Sequence, residues 1–362
     1  MKNILLLAPL YGNGGIASWT KKFLKTFPNE EFNLIPVSSV LKAKSVKASI
    51  FTRMWVGLKE LFIIKRGLKQ VIKGTHIDIF HTTTSGSLGS FRDYQVGKMC
   101  KNRGIKTIMH CRYGCMPNVL KGRGLKKKLL LMSLKQYDQI WVLDRYTYEA
   151  LEQLPITKGK VFLTPNSIDV TEIAEIQPKE YKNFAFIANI VPTKGIFELV
   201  EAFKAIGNQV VMLNIVGPAD ADTLSRLNSV IYNDPRIIYH GKLPNDQAVD
   251  FLKSMDALVL PTYYNGEAFP ISILEAMSYG KLVISTPRAA IPDMLTATDG
   301  SRCGLIVPER SVNELQEAME YAINNTSEMD EICSKAYDKV KTAYRMDVVY
   351  EIYRSNYRKL FN

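Results

Sequence analysis

Two glutamates separated by seven residues, Glu267 and Glu275, are the side chains of this chain best suited to bind a polar ligand. The first lies in a segment bounded by glycine and proline, which predicts a loop. The second lies where a helix is predicted to begin, and that helix is expected to stop at Gly280, before the apolar run Leu282–Ser285. Because carboxylates accept hydrogen bonds, two of them at a loop–helix junction predict a site for a polar ligand.

A purely structural explanation of the same residues is open at this point. Ser272 followed three residues later by Glu275 matches a capping box, in which a serine at the N-cap and a glutamate satisfy two backbone amides of the first helical turn. For Glu275 alone the capping and ligand-binding explanations weigh about equally, and a loop glutamate such as Glu267 is often only solvated.

Two segments could hold a phosphate group. Gly12, Gly14 and Gly15 lie between the first predicted strand and the first predicted helix, where glycines let backbone amides approach an anion. Lys194, in the sequence Val-Pro-Thr-Lys-Gly, has the corresponding position in the second half of the chain and could neutralise a diphosphate. A tight turn and a solvated lysine explain the two motifs equally well when each is taken alone.

Two histidines and an acidic pair complete the candidates. His110 and His81 lie at predicted strand ends, which line the ligand crevice of open α/β sheets, although a structural role is favoured for His81. Asp220 and Asp222 are interpreted as an acidic helix start rather than as a metal site. The sequence predicts neither a metal nor another cofactor.

Apolar runs alternate with amphipathic stretches along the chain, which predicts the βαβ alternation of doubly wound parallel sheets. A polar, irregular segment near residues 166–183 interrupts this alternation, so we expect two similar α/β domains that meet near residue 170. A last helix near residues 346–361 could cover either domain. Strands are expected at residues 4–7, 77–81, 107–110, 139–143, 161–164, 184–187, 211–216, 236–239, 257–260, 282–285 and 304–307.

Length and composition point to a globular protein of two domains. The chain has 362 residues, of which 46% are hydrophobic and 23% charged, and it contains no apolar stretch of the ~18 residues that a membrane helix needs. We interpret the N-terminal apolar run as a buried strand rather than a signal peptide. The odd number and scattered positions of the five cysteines predict free thiols in a reducing cytoplasm.

Charge is divided unequally between the two halves. Residues 1–170 carry 28 Lys and Arg against 10 Asp and Glu, a net charge of +18, whereas the remainder is net −6, which together give the +12 of the chain. The basic half is expected to meet an anionic partner: a membrane surface, a phosphate-bearing acceptor or nucleic acid. Residues 40–73 predict a basic amphipathic helix with aromatics that suits a membrane interface, although packing on the sheet is the favoured explanation. Residues 121–128 form a second basic cluster.

Taken in order, these motifs resemble the GT-B glycosyltransferases of family 4, the retaining group 1 enzymes. The resemblance is strongest over residues 184–308, through the Lys194-Gly195 loop, the segments 214–217, 239–243 and 255–261, and the paired-glutamate block 266–280. The first half matches more loosely, through Gly14-Gly15, His110 and residues 164–169.

The resemblance implies an α/β protein of GT-B fold, with two Rossmann-like parallel-sheet domains facing across a cleft. Residues 1–170 with the last helix, 346–362, would bind the acceptor, and residues 171–345 would bind the nucleotide sugar. It implies catalytic roles for Glu267 near the donor sugar, for Lys194 on the leaving diphosphate, and for His110 at the sugar or the acceptor hydroxyl. It implies further donor contacts by Gly14, Gly15, Asn189, Gly217, Leu243, Phe269, Pro270, Ile271, Ser272 and Glu275, the last on the ribose hydroxyls.

Two positions depart from the family pattern. Asn189 stands where many members have an arginine that shares the diphosphate, so Lys194 would act alone or with Arg288. Ala289 and Ala290 replace a frequent pair of glycines, which would alter the sugar pocket or the approach of the loop to the donor.

The resulting hypothesis is a retaining, metal-independent glycosyltransferase that moves a hexose-type sugar from a nucleotide sugar, with UDP favoured. The acceptor would be a saccharide, lipid-linked or in cell-surface polysaccharide assembly. The protein would be cytoplasmic, with an anionic membrane surface at the inner face of the membrane as an additional partner. The alternatives are a nucleotide-sugar epimerase of the same fold and a non-enzymatic basic nucleic-acid-binding protein, and the lack of a recognisable recognition module disfavours nucleic acid.

Overall fold

A computed structural model describes residues 1–12, 14–28, 30–40, 50–84, 86, 89–114, 116–170 and 179–362, without the side chains of residues 50–54. Asn13 of the glycine-rich segment 12–15, Cys115, which is one of the five cysteines, and part of the segments 40–73 and 166–183 lie outside this description. The chain divides into two compact units: Met1–Thr164 with Tyr353–Asn362, and Pro165–Ile352. The sequence places the corresponding boundaries at residues 170 and 346.

Unit 1 is built on a parallel sheet with the strand order β2-β1-β3-β4-β5-β6. Its strands are β1 (Lys2–Ala8), β2 (Phe32–Ser38), β3 (Ile79–Thr84), β4 (Lys106–Cys111), β5 (Gln139–Val142) and β6 (Val161–Leu163). Its helices are α1 (Gly15–Thr26), α2 (Ile50–Gly74), α3 (Gly89–Lys101), α4 (Met116–Lys121), α5 (Leu125–Leu134) and α6 (Arg145–Glu152).

The two faces of this sheet bury different kinds of side chain, because successive residues of a strand point to opposite faces. Phe80 belongs to an aliphatic layer that residues of α2, α3, α5 and α6 share, among them Leu68, Val96, Leu134 and Leu151. The next residue, His81, lies among aromatic rings of the other face, with Trp141 at 4.9 Å between ring centroids.

Unit 2 is built on a second parallel sheet, with the order β12-β11-β10-β7-β8-β9. Its strands are β7 (Asn183–Ile187), β8 (Met212–Val216), β9 (Ile237–Tyr239), β10 (Ala257–Leu260), β11 (Leu282–Ser285) and β12 (Leu305–Ile306). Its helices are α7 (Ile196–Ala205), α8 (Ala221–Ile231), α9 (Asn245–Lys253), α10 (Ile271–Ser278), α11 (Ile291–Leu295), α12 (Val312–Asn324) and α13 (Thr326–Lys339), with a 3₁₀ turn at Pro192–Lys194 and a π-helical turn at Val340–Tyr344. Helix α14 (Met346–Arg358) begins in unit 2 and ends in unit 1.

The predicted strands are confirmed, and one further strand was missed. Strand β2 contains Pro36, which cannot donate a ladder hydrogen bond, and the sequence therefore does not predict a strand there. The proline is tolerated because β2 is an edge strand of the sheet. The interpretation of Asp220 as a helix start is confirmed, since it is the N-cap of α8 and its Oδ1 accepts the Thr223 N–H at 2.8 Å.

No helix in the described part of the chain combines the length and apolar composition needed to cross a membrane. Four cysteines are described, and all four are buried free thiols: Cys100, Cys111, Cys303 and Cys333.

Candidate active site

The loops that follow β7 and β10 meet at the carboxyl-terminal ends of these strands. They meet because β7 and β10 are parallel neighbours in the unit 2 sheet, although some 70 residues separate them in the sequence. The Tyr263 N–H donates to the Thr193 carbonyl at 2.9 Å and so joins the two loops. Gly195 makes the close approach possible. Its φ is +79°, and a Cβ there would lie 2.1 Å from the Pro261 carbonyl oxygen.

Lys194 and Glu267 form an ion pair where these loops meet, through Nζ and Oε2. Their side chains are only 14% and 9% exposed, so the pair is largely shielded from solvent. Thr262, itself fully buried, donates from Oγ1 to the same Oε2 at 3.2 Å. The carboxylate is therefore fixed by a cation and a hydroxyl, and the ammonium group is held at the strand end.

The loop that carries Glu267 is a tight turn. The Glu267 N–H donates to the Tyr264 carbonyl at 3.0 Å, and the Tyr264 N–H donates to Thr262 Oγ1 at 3.2 Å. A Cβ on Gly266 would lie 2.6 Å from the Tyr264 ring, which in turn has the Lys194 ammonium 5.5 Å from its centroid. Tyr264 thus lines the same site, and its side chain is 43% exposed.

The capping box that was weighed as one explanation of Ser272 and Glu275 does not form in α10. The helix begins at Ile271, and its N-cap residue is Pro270, whose side chain makes no capping hydrogen bond. Ser272 is therefore already inside the helix, one residue beyond its first position. Pro270 is extended, with φ −66° and ψ 119°, and its side chain has no acceptor for the backbone amides of the first turn.

Glu275 lies on the accessible stripe of an otherwise buried helix. Ile273, Leu274, Ala276 and Met277 are fully buried, whereas Ile271, Ser272 and Glu275 retain exposure. Residues three and four apart share one helix face, so these three side chains point the same way. The helix ends in a Schellman motif, with the Lys281 N–H on the Ala276 carbonyl and Gly280 at φ +60°.

Phe269 and Pro270 are buried and belong to the framework of the site rather than to its surface. The Phe269 carbonyl accepts from Asn166 Nδ2 at 3.0 Å, and its ring meets Tyr344 edge-on at 5.3 Å. Side-chain contacts of Phe269 and Pro270 with a ligand would require movement, whereas the backbone of this segment can contribute without it.

Gly217, Leu243 and Asn189 lie at the neighbouring strand ends of β7, β8 and β9. Gly217 has φ +149°, and a Cβ there would lie 1.8 Å from the Ala188 carbonyl oxygen, so glycine is required by packing. Its N–H donates to the Gly241 carbonyl at 2.9 Å. Leu243 is half-buried ahead of α9, and Asn189 is exposed.

Arg288, proposed from the sequence as a substitute for the missing arginine, is bound to other groups. Its Nη2 donates to the Tyr263 carbonyl at 2.7 Å, and its Nε lies 3.1 Å from Glu309 Oε1. Ala289, which replaces a family glycine, has φ +48°, a left-handed conformation that costs a residue with a Cβ roughly 1 kcal/mol or more.

His110 is fully buried in unit 1, and both its ring nitrogens are occupied. Arg112 Nη1 lies 3.1 Å from His110 Nε2, His110 Nδ1 lies 3.3 Å from His81 Nε2, and His81 Nδ1 lies 2.7 Å from the Tyr357 hydroxyl. Because a guanidinium only donates, Nε2 of His110 must accept, which puts the proton of each neutral ring on Nδ1. Contact of His110 with a sugar would require displacement of Arg112, and the catalytic role stays a prediction.

Burial and the neighbouring guanidinium keep both histidines neutral. Desolvation, and then the charge of Arg112, lower the pKa of His81 to about 3 and that of His110 well below its usual range. Desolvation also lowers the pKa of Arg112 to about 10, and its guanidinium stacks on the Trp19 ring at 4.0 Å. The structural role favoured for His81 agrees with this arrangement.

Gly14 and Gly15 lie at the start of α1 and are exposed. A Cβ added to either would meet no described atom within 4 Å, so packing does not require glycine at these two positions. Their proposed approach to a phosphate is a prediction that this geometry permits.

Thr262 and Tyr264 line the site without having been predicted from the sequence. Thr262 could have been found from its place two residues after the apolar run that forms β10, at a strand end. The described residues contain no group of three or more His, Cys, Asp or Glu side chains placed to hold a metal ion.

Residues 169–340 match the family model described as glycosyl transferases group 1. A protein of Klebsiella pneumoniae described as an uncharacterized 41.2 kDa protein in the cps region is 21% identical over 358 residues, which cover 94% of this chain and 97% of that protein. WcaL of Escherichia coli K12, whose name assigns it as a glycosyltransferase to colanic acid biosynthesis, is 22% identical over 55% of this chain and 51% of its own length. The chain thus spans about half the length of that relative.

The solved structure of HepE from Anabaena, in complex with UDP and glucose, has the same fold. It covers 99% of this chain and 100% of its own, with a TM-score of 0.71 at 13% identity. The predicted GT-B fold class, with two Rossmann-like parallel sheets, is confirmed.

Proposed function

We propose that this chain, whose residues 169–340 match the model of the group 1 glycosyl transferases, is a glycosyltransferase that moves a hexose-type sugar from a UDP-sugar to a saccharide acceptor. The transfer retains the anomeric configuration and uses no metal. The observation that carries this proposal is the shielded Lys194–Glu267 pair, fixed by Thr262 at the carboxyl ends of two neighbouring parallel strands.

Lys194 supplies the charge that the departing diphosphate needs. Cleavage of the sugar–phosphate bond leaves negative charge on the leaving oxygen, and a preorganised cation stabilises that charge best in a site shielded from water. Within the protein the ammonium group is balanced by Glu267. When the donor binds, the phosphate oxygens share the ammonium group, so that the cation need not be recruited from solvent.

Glu267 and Glu275 take two different parts of the donor. Glu267 is held by Lys194 and Thr262, and its remaining acceptor sites face the sugar hydroxyls. Glu275 lies on the accessible stripe of α10 and accepts hydrogen bonds from the ribose hydroxyls. Retention follows a front-face attack through an oxocarbenium-like state, with the leaving phosphate as the base, as the family resemblance implies.

The acceptor and donor classes are inferred from the relatives. The similar protein from the Klebsiella cps region and the WcaL relative both carry names connected with cell-surface polysaccharides. HepE, of the same fold, was solved with UDP and glucose. These names support a saccharide acceptor in cell-surface polysaccharide assembly, free or lipid-linked, and UDP as the nucleotide.

The test is a transfer assay with UDP-, GDP- and ADP-sugars in the presence of EDTA, with oligosaccharide and lipid-linked acceptors. We expect a UDP-sugar to give a glycoside whose anomeric proton coupling matches that of the donor, with release of UDP. An inverted product would contradict retention, and complete loss of transfer in EDTA would contradict metal independence. Conversion of the nucleotide sugar into its epimer without consumption of acceptor would instead identify an epimerase.

A further inference from the structure

Helix α2 buries one face and leaves large apolar side chains on the other. Leu61, Ile64, Leu68 and Val71, spaced by three and four residues, pack into the aliphatic layer of unit 1. This stripe confirms that the helix packs on the sheet, as the sequence favours. The packing of this stripe does not explain why the other face of the helix also carries large apolar side chains.

Trp55, Leu58 and Phe62 lie on the opposite face and are 65%, 55% and 69% exposed. They are also spaced by three and four residues, so they form one continuous strip along the N-terminal half of the helix. Ile63, beside them, is 51% exposed. Isolated exposed apolar residues are common, but a contiguous aromatic and aliphatic strip marks an interaction surface.

The same face is basic toward the C-terminal end of the helix. Lys59, Arg66, Lys69 and Lys73 are exposed, and the Lys59 ammonium lies 4.4 Å from the centroid of the Trp55 ring. Among the described side chains of α2, from residue 55 onward, Glu60 is the one acid against five basic residues. The partner of this face must therefore accept apolar side chains and carry negative charge.

Helix α5, on the same side of the unit 1 sheet as α2, also exposes basic and apolar side chains. Leu130 and Leu134 of α5 share the buried cluster with Leu68 of α2, so both helices cover the same side of the sheet. On its exposed side, α5 presents Lys126 and Lys128, and Leu125 is 64% exposed.

We propose that the exposed face of α2 docks unit 1 on the surface of an anionic lipid bilayer. Trp55 and Phe62 enter the boundary between headgroups and acyl chains, where aromatic rings are favoured, and the basic residues meet the lipid phosphates. A helix that lies in the plane of the interface needs such a division between an apolar strip and flanking cations. This docking is independent of the donor site and goes beyond the transfer reaction.

The experiment is flotation of the full chain with two kinds of vesicle. One is phosphatidylcholine alone, and the other contains about 30% of the anionic lipid phosphatidylglycerol. Wild type is expected to float with the anionic vesicles and to be released by salt, because salt screens the surface charge. Tryptophan emission should shift to the blue on binding. This shift reports α2, because Trp141 is fully buried and Trp19 partly buried, which leaves Trp55 as the exposed one of the three tryptophans, all of which are described.

Two pairs of substitutions separate the apolar and the charged contributions. Trp55→Ala with Phe62→Ala should abolish flotation, whereas Tyr232→Ala, at an 85% exposed aromatic of unit 2, should leave it unchanged. Arg66→Gln with Lys69→Gln should weaken binding to anionic vesicles about 25-fold, since each basic residue near such a surface contributes about fivefold. The matched charge control is Lys158→Gln with Lys335→Gln, both exposed.

Other outcomes would overturn the proposal. Flotation of the Trp55/Phe62 variant like wild type, equal binding to neutral and anionic vesicles, or no binding at all would each do so. If wild type sediments as a dimer that the same variant converts to a monomer, without vesicle binding, the face is an interface between two copies instead. The Lys194→Gln variant should float like wild type, so failure of the donor-site proposal and failure of this one are distinguishable.

Discussion

The Lys194–Glu267 pair is the residue-level feature on which the proposed chemistry depends. A largely shielded ion pair contributes little net stability, because desolvation offsets most of the attraction between the charges. Its position at two strand ends therefore suggests a functional reason for keeping it. The pair keeps the Lys194 ammonium in a shielded site, and Glu267 balances its charge until the donor binds.

Replacement of Glu267 by glutamine tests what the negative charge of this side chain contributes to sugar transfer and to UDP binding. Glu267→Gln keeps the side-chain shape and an acceptor for the Thr262 hydroxyl, but it leaves the largely shielded Lys194 ammonium uncompensated, so the melting temperature should fall while the fold is kept. Sugar transfer should fall about 100-fold, because the charge that faces the donor sugar is removed. UDP should bind as tightly as in wild type, or more tightly, since Lys194 no longer shares its charge with a carboxylate. Transfer rates and calorimetric UDP affinity measure both effects.

The matched control is Glu328→Gln, which removes an exposed ion pair with Arg302 in the same unit. It should leave both transfer and UDP affinity at wild-type values. Transfer by Glu267→Gln at the wild-type rate would exclude the proposed role of the carboxylate.

The neutral histidine pair predicts an acid-sensitive unit 1. His81 has a folded pKa of about 3, far below its ordinary value near 6.5, so between these values the unfolded chain binds more protons and stability falls as the pH falls. From pH 7 to pH 5 the loss should be about 2 kcal/mol for each buried histidine. Urea unfolding at both pH values, followed by tryptophan fluorescence, measures it.

The comparison variants isolate this contribution from that of other groups. His81→Gln should reduce the pH dependence by about 2 kcal/mol, whereas Tyr232→Ala, at an exposed aromatic side chain of unit 2, should not change it. The same pH dependence in His81→Gln and in wild type would show that the folded protein protonates this ring as readily as the unfolded chain does.

At the scale of elements, the loop after β7 depends on one glycine. Gly195→Ala forces a Cβ to within 2.1 Å of the Pro261 carbonyl oxygen at a positive φ, so the Lys194 loop must move. We expect a loss of about 3 kcal/mol in the free energy of unfolding and loss of UDP binding. Gly207→Ala is the control, because a Cβ there meets no described atom within 4 Å and the φ is not left-handed. Equal stability of the two variants by urea unfolding would contradict the packing argument.

Helix α10 allows capping and ligand binding to be distinguished. Its start does not depend on Ser272, so Ser272→Ala should change the free energy of unfolding by less than about 0.5 kcal/mol.

Glu275→Ala should lower the free energy of unfolding by at most about 1 kcal/mol, because the side chain is half-exposed. Wild type should prefer UDP to 2′-deoxy-UDP, and Glu275→Ala should bind the two equally.

Two results would oppose this assignment of Glu275 to the ribose. One is an unfolded Glu275→Ala variant, which would return the residue to a structural role. The other is a folded variant that still discriminates between the two nucleotides in a competition assay.

The limits of prediction from sequence are clear in these elements. The start of α10 could not be fixed from the sequence because Ser272 and Glu275 have the spacing of a capping box, whereas the N-cap residue is Pro270, which has no capping side chain. The contact of Lys194 with Glu267 was not predicted because it depends on strand order. Each residue follows its own strand, and only the sheet reveals that β7 and β10 are neighbours.

At the scale of the whole molecule, the repeated alternation of strands and helices was enough to predict two parallel-sheet units. Strands such as β1 and β10 are buried on both faces, which gives the continuous apolar runs by which they were recognised. Strand β2 lacks that signal because it is an edge strand with a proline. The unequal charge of the two halves and the basic, aromatic character of residues 40–73 were also visible in the sequence. Which of these apolar side chains stay exposed was not, since exposure depends on which face the sheet covers.

Calorimetric titration of UDP into the full chain in the presence of EDTA tests most directly whether Lys194 binds the diphosphate. We expect wild type and the exposed-lysine control Lys335→Gln to bind UDP equally. Lys194→Gln should bind it about 10- to 100-fold more weakly, as expected for the loss of one hydrogen bond between charged groups, while its affinity for uridine is unchanged. Equal UDP affinity of Lys194→Gln and wild type, or failure of wild type to bind any nucleoside diphosphate, would contradict the central claim.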